Sequence, residues 1–156
     1  MSKISLAGTH LPILSKILTT TTGPVLELGS GWNSTPLMYW TCKAEGRLFK
    51  SYENDKKWVE SMEGLTEYTE SWDLIDIDDT YWSVVLIDCR PAKKRRELAL
   101  RLKRNADYIL LHDSEPEINS FYGYKQIRDK FTYSYQFDKL KPNTLVLSNI
   151  CDLKYL

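Results

Sequence analysis

An acidic residue and two glycines stand where an early apolar segment ends, in the sequence GPVLELGSGWNSTP (23–36). The apolar run leads to Glu27, and Gly29 and Gly31 follow it. Glycines at such a turn let main-chain amides approach a ligand closely, and the helix that follows offers unpaired N–H groups. A carboxylate is costly to bury without hydrogen-bond donors. This segment is therefore a candidate ligand-binding loop in which Glu27 has polar partners.

Ionisable residues also follow two later apolar segments, VLIDCRP (85–91) and LLHDSEP (110–116). If the two segments are neighbouring strands, Asp88 and Asp113 lie close together, which raises the pKa of one of them unless a cation separates them. Asp and His are ligands of Mg²⁺, Mn²⁺ and similar ions. Alternatively, His112 acts as a general base that Asp113 or Asp88 orients. Both interpretations make Asp88, His112 and Asp113 the candidate catalytic residues.

The elements that position these residues are short apolar runs that alternate with helix-like segments. The order is β-α-β-α-β-β-α-β-α-β-β after a short helix near residues 10–20, and the segment 121–131 is predicted to be helical. Repeated βα units predict an α/β fold with a doubly wound parallel sheet and helices on both faces. The segments 132–140 and 143–150 have no helix between them, which predicts an antiparallel hairpin. Ligands of such sheets bind beyond the carboxyl ends of the strands, where the candidate residues lie.

The first loop departs from the G-x-G-x-x-G pattern of dinucleotide binding, because Ser34 occupies the place of the third glycine. The carboxylate of Glu27 repels a phosphate and suits a cation. Glu53 closes the second β segment, 26 residues after Glu27, and an acid at that point commonly accepts hydrogen bonds from a ribose diol. A ribose with a cationic tail and no phosphate describes S-adenosylmethionine.

The E-x-G-x-G pattern at 27–31, with an acid closing the second strand, resembles the class I S-adenosylmethionine-dependent methyltransferases. The resemblance runs from about Gly23 to Asn149 and implies a seven-stranded, mostly parallel sheet of order 3-2-1-4-5-7-6 with an antiparallel C-terminal hairpin. It implies that the glycine loop holds the methionine part of the cofactor, that residues after strand three flank the adenine, and that Asp88 faces the methyl group. The cofactor-binding residues that it implies are Glu27, Gly29, Ser30, Gly31, Glu53, Trp72, Asp73 and Asp88.

The acidic residues after strands four and five also resemble the metal-dependent O-methyltransferases. This implies Mg²⁺ or Mn²⁺ held by Asp88 and Asp113, where the ion lowers the pKa of an acceptor hydroxyl. Arg90 is a candidate contact for an anionic acceptor, and His10 is a candidate substrate contact at the start of the first helix. The cations at 93–96 are interpreted as the solvated first turn of a helix.

We therefore expect methylation of a hydroxyl on a sugar, glycan or small metabolite. RNA or protein methylation, a non-catalytic S-adenosylmethionine-binding module and an enzyme that degrades the cofactor stay open as alternatives. The sequence DCRP at 88–91 is not the N-P-P-Y type of loop used for exocyclic amines. A formal net charge of zero, with 21 basic and 21 acidic residues, weighs against unaided nucleic-acid binding.

A length of 156 residues predicts a single domain, 1–156, with one core. No apolar run approaches the roughly 20 residues of a membrane span, and the first residues are too polar for a signal peptide. Cys42, Cys89 and Cys151 lack metal-type spacing and are typical of reduced thiols in the cytoplasm. We expect a cytoplasmic enzyme without a membrane partner, and a homo-oligomer stays open.

Overall fold

The computed structural model describes residues 8–156, which form seven strands and five α-helices. The strands are β1 (Val25–Leu28), β2 (Phe49–Glu53), β3 (Glu67–Tyr68), β4 (Trp82–Ile87), β5 (Ala106–His112), β6 (Tyr133–Phe137) and β7 (Thr144–Ser148). The helices are α1 (Leu11–Thr19), α2 (Ser34–Glu45), α3 (Lys56–Ser61), α4 (Ala92–Leu102) and α5 (Asn119–Tyr122).

All seven strands belong to one sheet of order β3-β2-β1-β4-β5-β7-β6. The pairs from β3 across to β5 are parallel, whereas β7 runs antiparallel to both β5 and β6. The predicted doubly wound sheet and its C-terminal hairpin are therefore confirmed. The order reverses between β1 and β4, so the carboxyl ends of these two strands border the crevice in which such sheets bind ligands.

Helices cover both faces of the sheet, so every residue of β1 and β4 is buried. On one face Leu26 packs in a cluster with Leu98 of α4. On the other face Val25 packs with Leu14 of α1 and Met38 of α2. Alternate side chains of a strand point to opposite faces, so a continuously apolar strand is typical of a sheet covered on both sides.

Helix α3 is capped by Asp55, whose carboxylate accepts hydrogen bonds from the backbone N–H groups of Lys57 and Trp58. This cap places the start of α3 directly after Glu53, at the end of β2. Helix α2 follows β1, and the hydroxyl of Thr35 in its first turn accepts a hydrogen bond from the Gly31 amide of the glycine loop at 2.9 Å. Both helices therefore begin at the carboxyl edge of the sheet.

The predicted helix over 121–131 is wrong. The segment contains the end of α5 and two 3-10 helices, Tyr124–Gln126 and Arg128–Lys130. The break falls at Gly123, which has a left-handed backbone (φ 71°) and is the C-cap of α5. Tyr124 and Ile127 are nevertheless buried, so the apolar pattern identified the inward side chains but not the backbone. Within residues 8–156 no helix has the length and apolarity to cross a bilayer.

Candidate functional site

A cavity of about 1250 Å³ opens at the carboxyl ends of β1, β2, β4 and β5. Most of the side chains that the sequence singled out meet in it. The predicted residues that line the cavity are His10, Ser30, Gly31, Glu53, Asp88, Arg90, His112 and Asp113. The predicted cofactor residues Glu27, Gly29, Trp72 and Asp73 lie outside this lining, and each has another place in the structure.

The glycine loop passes directly over the end of β4. Gly29 has φ 94°, and a Cβ there would lie 2.5 Å from the backbone nitrogen of Cys89. Only glycine fits both the conformation and the space. Gly29 therefore does not line the cavity, but it lets the amides of Ser30 and Gly31 reach its wall.

The Glu53 carboxylate is held by main-chain donors at the end of β2. Oε1 accepts hydrogen bonds from the N–H groups of Asn54 (2.7 Å) and Asp55 (3.0 Å), and Oε2 accepts one from Ser30 (3.1 Å). Each carboxylate oxygen can accept about two hydrogen bonds, so Oε2 retains one free position. Glu53 therefore offers one fixed acceptor to a ligand hydroxyl in the cavity.

Glu27 is fully buried beneath the loop and does not line the cavity, and its predicted contact with a cofactor stays a prediction. Its carboxylate accepts hydrogen bonds from the hydroxyls of Ser34 (2.6 Å), Thr35 (2.7 Å) and Ser51 (2.6 Å). Burial raises the pKa of Glu27 to about 7, although the three hydroxyls oppose this rise. Glu27 therefore ties α2 and β2 to β1 and supports the loop from below.

Trp72 and Asp73 also lie away from the cavity lining, and their predicted contact with a cofactor stays a prediction. Trp72 is buried in the core, and its indole N–H donates to the carbonyl of Arg90 at 2.7 Å. Asp73 is exposed and pairs with Lys94 at 2.9 Å. Trp72 thus packs in the core and anchors the backbone of Arg90 through its indole N–H.

Asp88, His112 and Asp113 lie together as predicted, with ligand atoms within 4.8 Å of one another. Nδ1 of His112 lies 3.3 Å from Asp88 and 3.6 Å from Asp113. Burial alone would lower the pKa of His112, but the hydrogen bond and charge of Asp88 and the charge of Asp113 raise it above its usual value. Asp113 has a left-handed backbone (φ 58°), a strained conformation of the kind that collects at functional sites.

Arg95 is buried between the two carboxylates, which corrects its interpretation as part of a solvated helical turn. Nη2 lies 2.7 Å from Asp88 and Nη1 2.9 Å from Asp113. The guanidinium therefore pairs with both carboxylates that the metal hypothesis assigned to Mg²⁺ or Mn²⁺, and a dication bound to them meets a like charge. The donor set does not fit a resident metal ion. A sequence signal existed, because Arg95 shares the helical stripe of Leu98 and Leu102.

His10 is buried, and its ring meets that of His112 edge-on with centroids 4.7 Å apart. Among residues 8–156, neither of its ring nitrogens has a hydrogen-bond partner. Burial, and then the charge of His112, lowers the pKa of His10 to about 4. Nε2 of His112, by contrast, lies 3.1 Å from the hydroxyl of Thr9. His10 is thus a neutral imidazole with uncommitted nitrogens at the cavity wall.

Aromatic rings form the rim of the cavity. The indole N–H of Trp58 donates to the carbonyl of Ser30 at 2.7 Å, which fixes the glycine loop. Trp32 stands edge-on to Trp58 with centroids 5.5 Å apart and is 58% exposed. Phe121 is 70% exposed on the same lining. Exposed rings beside a deep cavity can stack against a planar ligand.

No protein-family model matches the sequence, and no curated protein is similar to it. Solved structures are similar in fold. The human methyltransferase 10 domain containing protein is 14% identical over 96% of this chain and 85% of its own, with a TM-score of 0.55. The chain has a class I methyltransferase fold.

Two further structures have the same fold. The catalytic domain of human METTL16, in complex with the MAT2A 3′UTR hairpin 1, is 13% identical over 97% of this chain and 72% of its own, with a TM-score of 0.61. M. capricolum TrmK, in complex with the cofactor product S-adenosylhomocysteine, is 8% identical over 86% of this chain and 66% of its own, with a TM-score of 0.50. The similarity supports the class I resemblance. It gives no support to the metal-dependent O-methyltransferase type.

Proposed function

We propose that this chain is an S-adenosylmethionine-dependent methyltransferase. The observation that carries the proposal is Glu53, a carboxylate with one free acceptor position at the end of β2, joined to the glycine loop through the Ser30 amide. A ribose hydroxyl fits that acceptor. The negative Asp88 lines the same cavity and favours a cationic sulfonium over a pyrophosphate.

The bound cofactor would supply an electrophilic methyl group. The chain's part is to bind, orient and exclude water. Asp88 keeps a negative charge at the cavity wall, because Arg95 and His112 lower its pKa although burial alone would raise it. The neutral His10 can accept a hydrogen bond from an acceptor N–H or O–H and so orient the attacking lone pair.

For the acceptor we propose an RNA base. METTL16, which has the same fold, is solved with an RNA hairpin. The exposed rings of Trp32 and Phe121 at the rim suit a base that has left its stack, and Arg90 is exposed beside them. The formal net charge of zero argues only against a broad electrostatic grip. The metal-assisted form of the expected hydroxyl methylation is disfavoured, because the Arg95 guanidinium already pairs with both carboxylates.

Calorimetry tests the cofactor proposal. S-adenosylmethionine should bind with a saturable isotherm, and NAD⁺ should not. Glu53→Gln should weaken S-adenosylmethionine about tenfold or more, because an amide cannot replace the carboxylate toward both the main-chain donors and the ribose. Glu60→Gln, on an exposed face of α3, is the matched control and should bind as the wild type does. Tighter binding of NAD⁺ would refute the proposal.

Label transfer tests the acceptor. Methyl-labelled S-adenosylmethionine is incubated with the full chain and either a pool of short RNAs or a panel of glycans and hydroxylated metabolites. We expect label in the RNA that nuclease digestion releases as a modified nucleoside. Label in a glycan instead would overturn the RNA acceptor and leave the methyltransferase proposal standing.

A further inference from the structure

Every nitrogen of the Arg95 guanidinium is engaged at the carboxyl edge of the sheet. Nε donates to the carbonyl of Cys89 at 2.8 Å, and Nη1 donates to the carbonyl of His112 at 3.2 Å. The two charged contacts to Asp88 and Asp113 complete the set. One residue of α4 thus joins the ends of β4 and β5.

An aromatic ring covers a face of the guanidinium, whose edges the hydrogen bonds occupy. Its Cζ lies 4.6 Å from the ring centroid of Tyr122, whose hydroxyl donates to Asp113 at 3.1 Å. Arg95 is 5% exposed, while the side chains of Asp88 and Asp113 are 30% and 21% exposed. The guanidinium therefore has no nitrogen without a partner, and the carboxylates keep their open sides toward the cavity.

We propose that Arg95 is the resident cation of this cluster, paired with the two carboxylates that a divalent ion would need, so that the native chain requires no metal. The guanidinium lies 2.7 Å from an oxygen of Asp88 and 2.9 Å from an oxygen of Asp113, so a dication bound to the same carboxylates would meet its positive charge. Arg95 acts through the two carboxylates and is a positioning residue. The proposal for Arg95 goes beyond the proposed function. It can be tested separately, because Mn²⁺ binding is measured without cofactor or acceptor.

Mn²⁺ titration of the full chain, followed by electron paramagnetic resonance, tests the proposal. The wild type should show no saturable Mn²⁺ site at submillimolar concentration. Arg95→Ala should gain one, with affinity raised at least tenfold, because the cluster loses its cation. The double variant Arg95→Ala/Asp113→Asn should lose the gained site. Arg101→Ala removes another arginine that pairs with a carboxylate, that of Asp78, and should gain none.

Chemical rescue separates an electrostatic role from a purely structural one. Guanidinium chloride at low millimolar concentration should displace Mn²⁺ from Arg95→Ala, and NaCl at equal ionic strength should not. Arg95→Gln, neutral but longer, should also gain the site, and it serves if the alanine variant does not fold. A wild-type Mn²⁺ site that Asp113→Asn abolishes would overturn the proposal, and so would the absence of any gained site in a folded Arg95 variant.

Discussion

At the scale of single residues, the two histidines of the chain have opposite tasks. His112 lies between two carboxylates, and its pKa is raised, although burial alone would lower it. His10, one ring away, is neutral because burial and its charged neighbour lower its pKa to about 4. One site therefore holds a stored proton and an imidazole lone pair at the same pH.

Proton NMR of the imidazole rings checks this difference. Between pH 3.5 and 8.5, the His10 resonances should titrate near pH 4, and the His112 resonances should titrate above the usual 6.5. His10→Gln and His112→Gln assign the signals, since the chain has no other histidine. Two overlapping curves centred near pH 6.5 would contradict the described cluster.

At this scale the sequence predicted which residues gather but not what they touch. Asp88, His112 and Asp113 could be placed together because each ends an apolar run. The position of Trp72 could not be predicted, because tryptophan side chains are found both in ligand pockets and in protein cores. Arg95 escaped because its three basic neighbours suggested a solvated turn, and only the stripe with Leu98 pointed inward.

At the scale of elements, the glycine loop is held from two sides. Glu27 supports it from below through three hydroxyls, and Trp58 bonds the Ser30 carbonyl from the side. The loop's closest approach is at Gly29, over the end of β4. The glycine loop, α2 and β2 therefore form one unit at the carboxyl edge of the sheet.

Gly29→Ala should be strongly destabilising, by about 4 kcal/mol or more, because a Cβ meets backbone atoms at a left-handed φ. Gly64→Ala is the matched control: its φ is 84°, but no atom lies within 4 Å of the added Cβ. It should cost only about 1–2 kcal/mol, the backbone conformation alone. Urea unfolding measures both, and equal losses would show that the loop yields.

Glu27 makes stability depend on pH in a known direction. Its folded pKa of about 7 lies above the ordinary value of 4.5, so its contribution is complete below pH 4.5 and is lost as pH rises through 7. Relative to Glu27→Gln, which does not titrate, the wild type should lose about 3 kcal/mol of unfolding free energy across that range. Urea unfolding at pH 4.5, 6 and 8 measures the change, with Glu60→Gln as the control. A constant difference between wild type and Glu27→Gln would contradict the buried carboxylate.

The elements themselves followed from the sequence where periodicity and caps agreed. The sheet order, the hairpin and the Asp55 cap were predictable, because each depends on local pattern and connection length. The segment 121–131 was not, because its apolar spacing fits a helix while Gly123 requires a left-handed backbone. Gly123 is the C-cap of α5, and its left-handed backbone ends that helix.

At the scale of the whole molecule, charge balance separates positioning from attraction. Because the formal net charge is zero, the proposed RNA binding should depend weakly on salt and strongly on the rings at the rim. Replacing Trp32 or Phe121 with Ala should each weaken the binding of a short single-stranded RNA by about 1–3 kcal/mol. Fluorescence anisotropy measures it, with Trp40→Ala, an equally exposed ring outside the cavity, as the control. A steep salt dependence with no effect of the rim variants would contradict this recognition.

The most direct measurement is a crystal structure of the chain grown with S-adenosylhomocysteine. The nucleoside should lie across the carboxyl ends of β1, β2 and β4, with a ribose hydroxyl within hydrogen-bond distance of Glu53 and the sulfur on the side of Asp88. A nucleoside bound elsewhere, or an empty crevice at saturating ligand, would contradict the account.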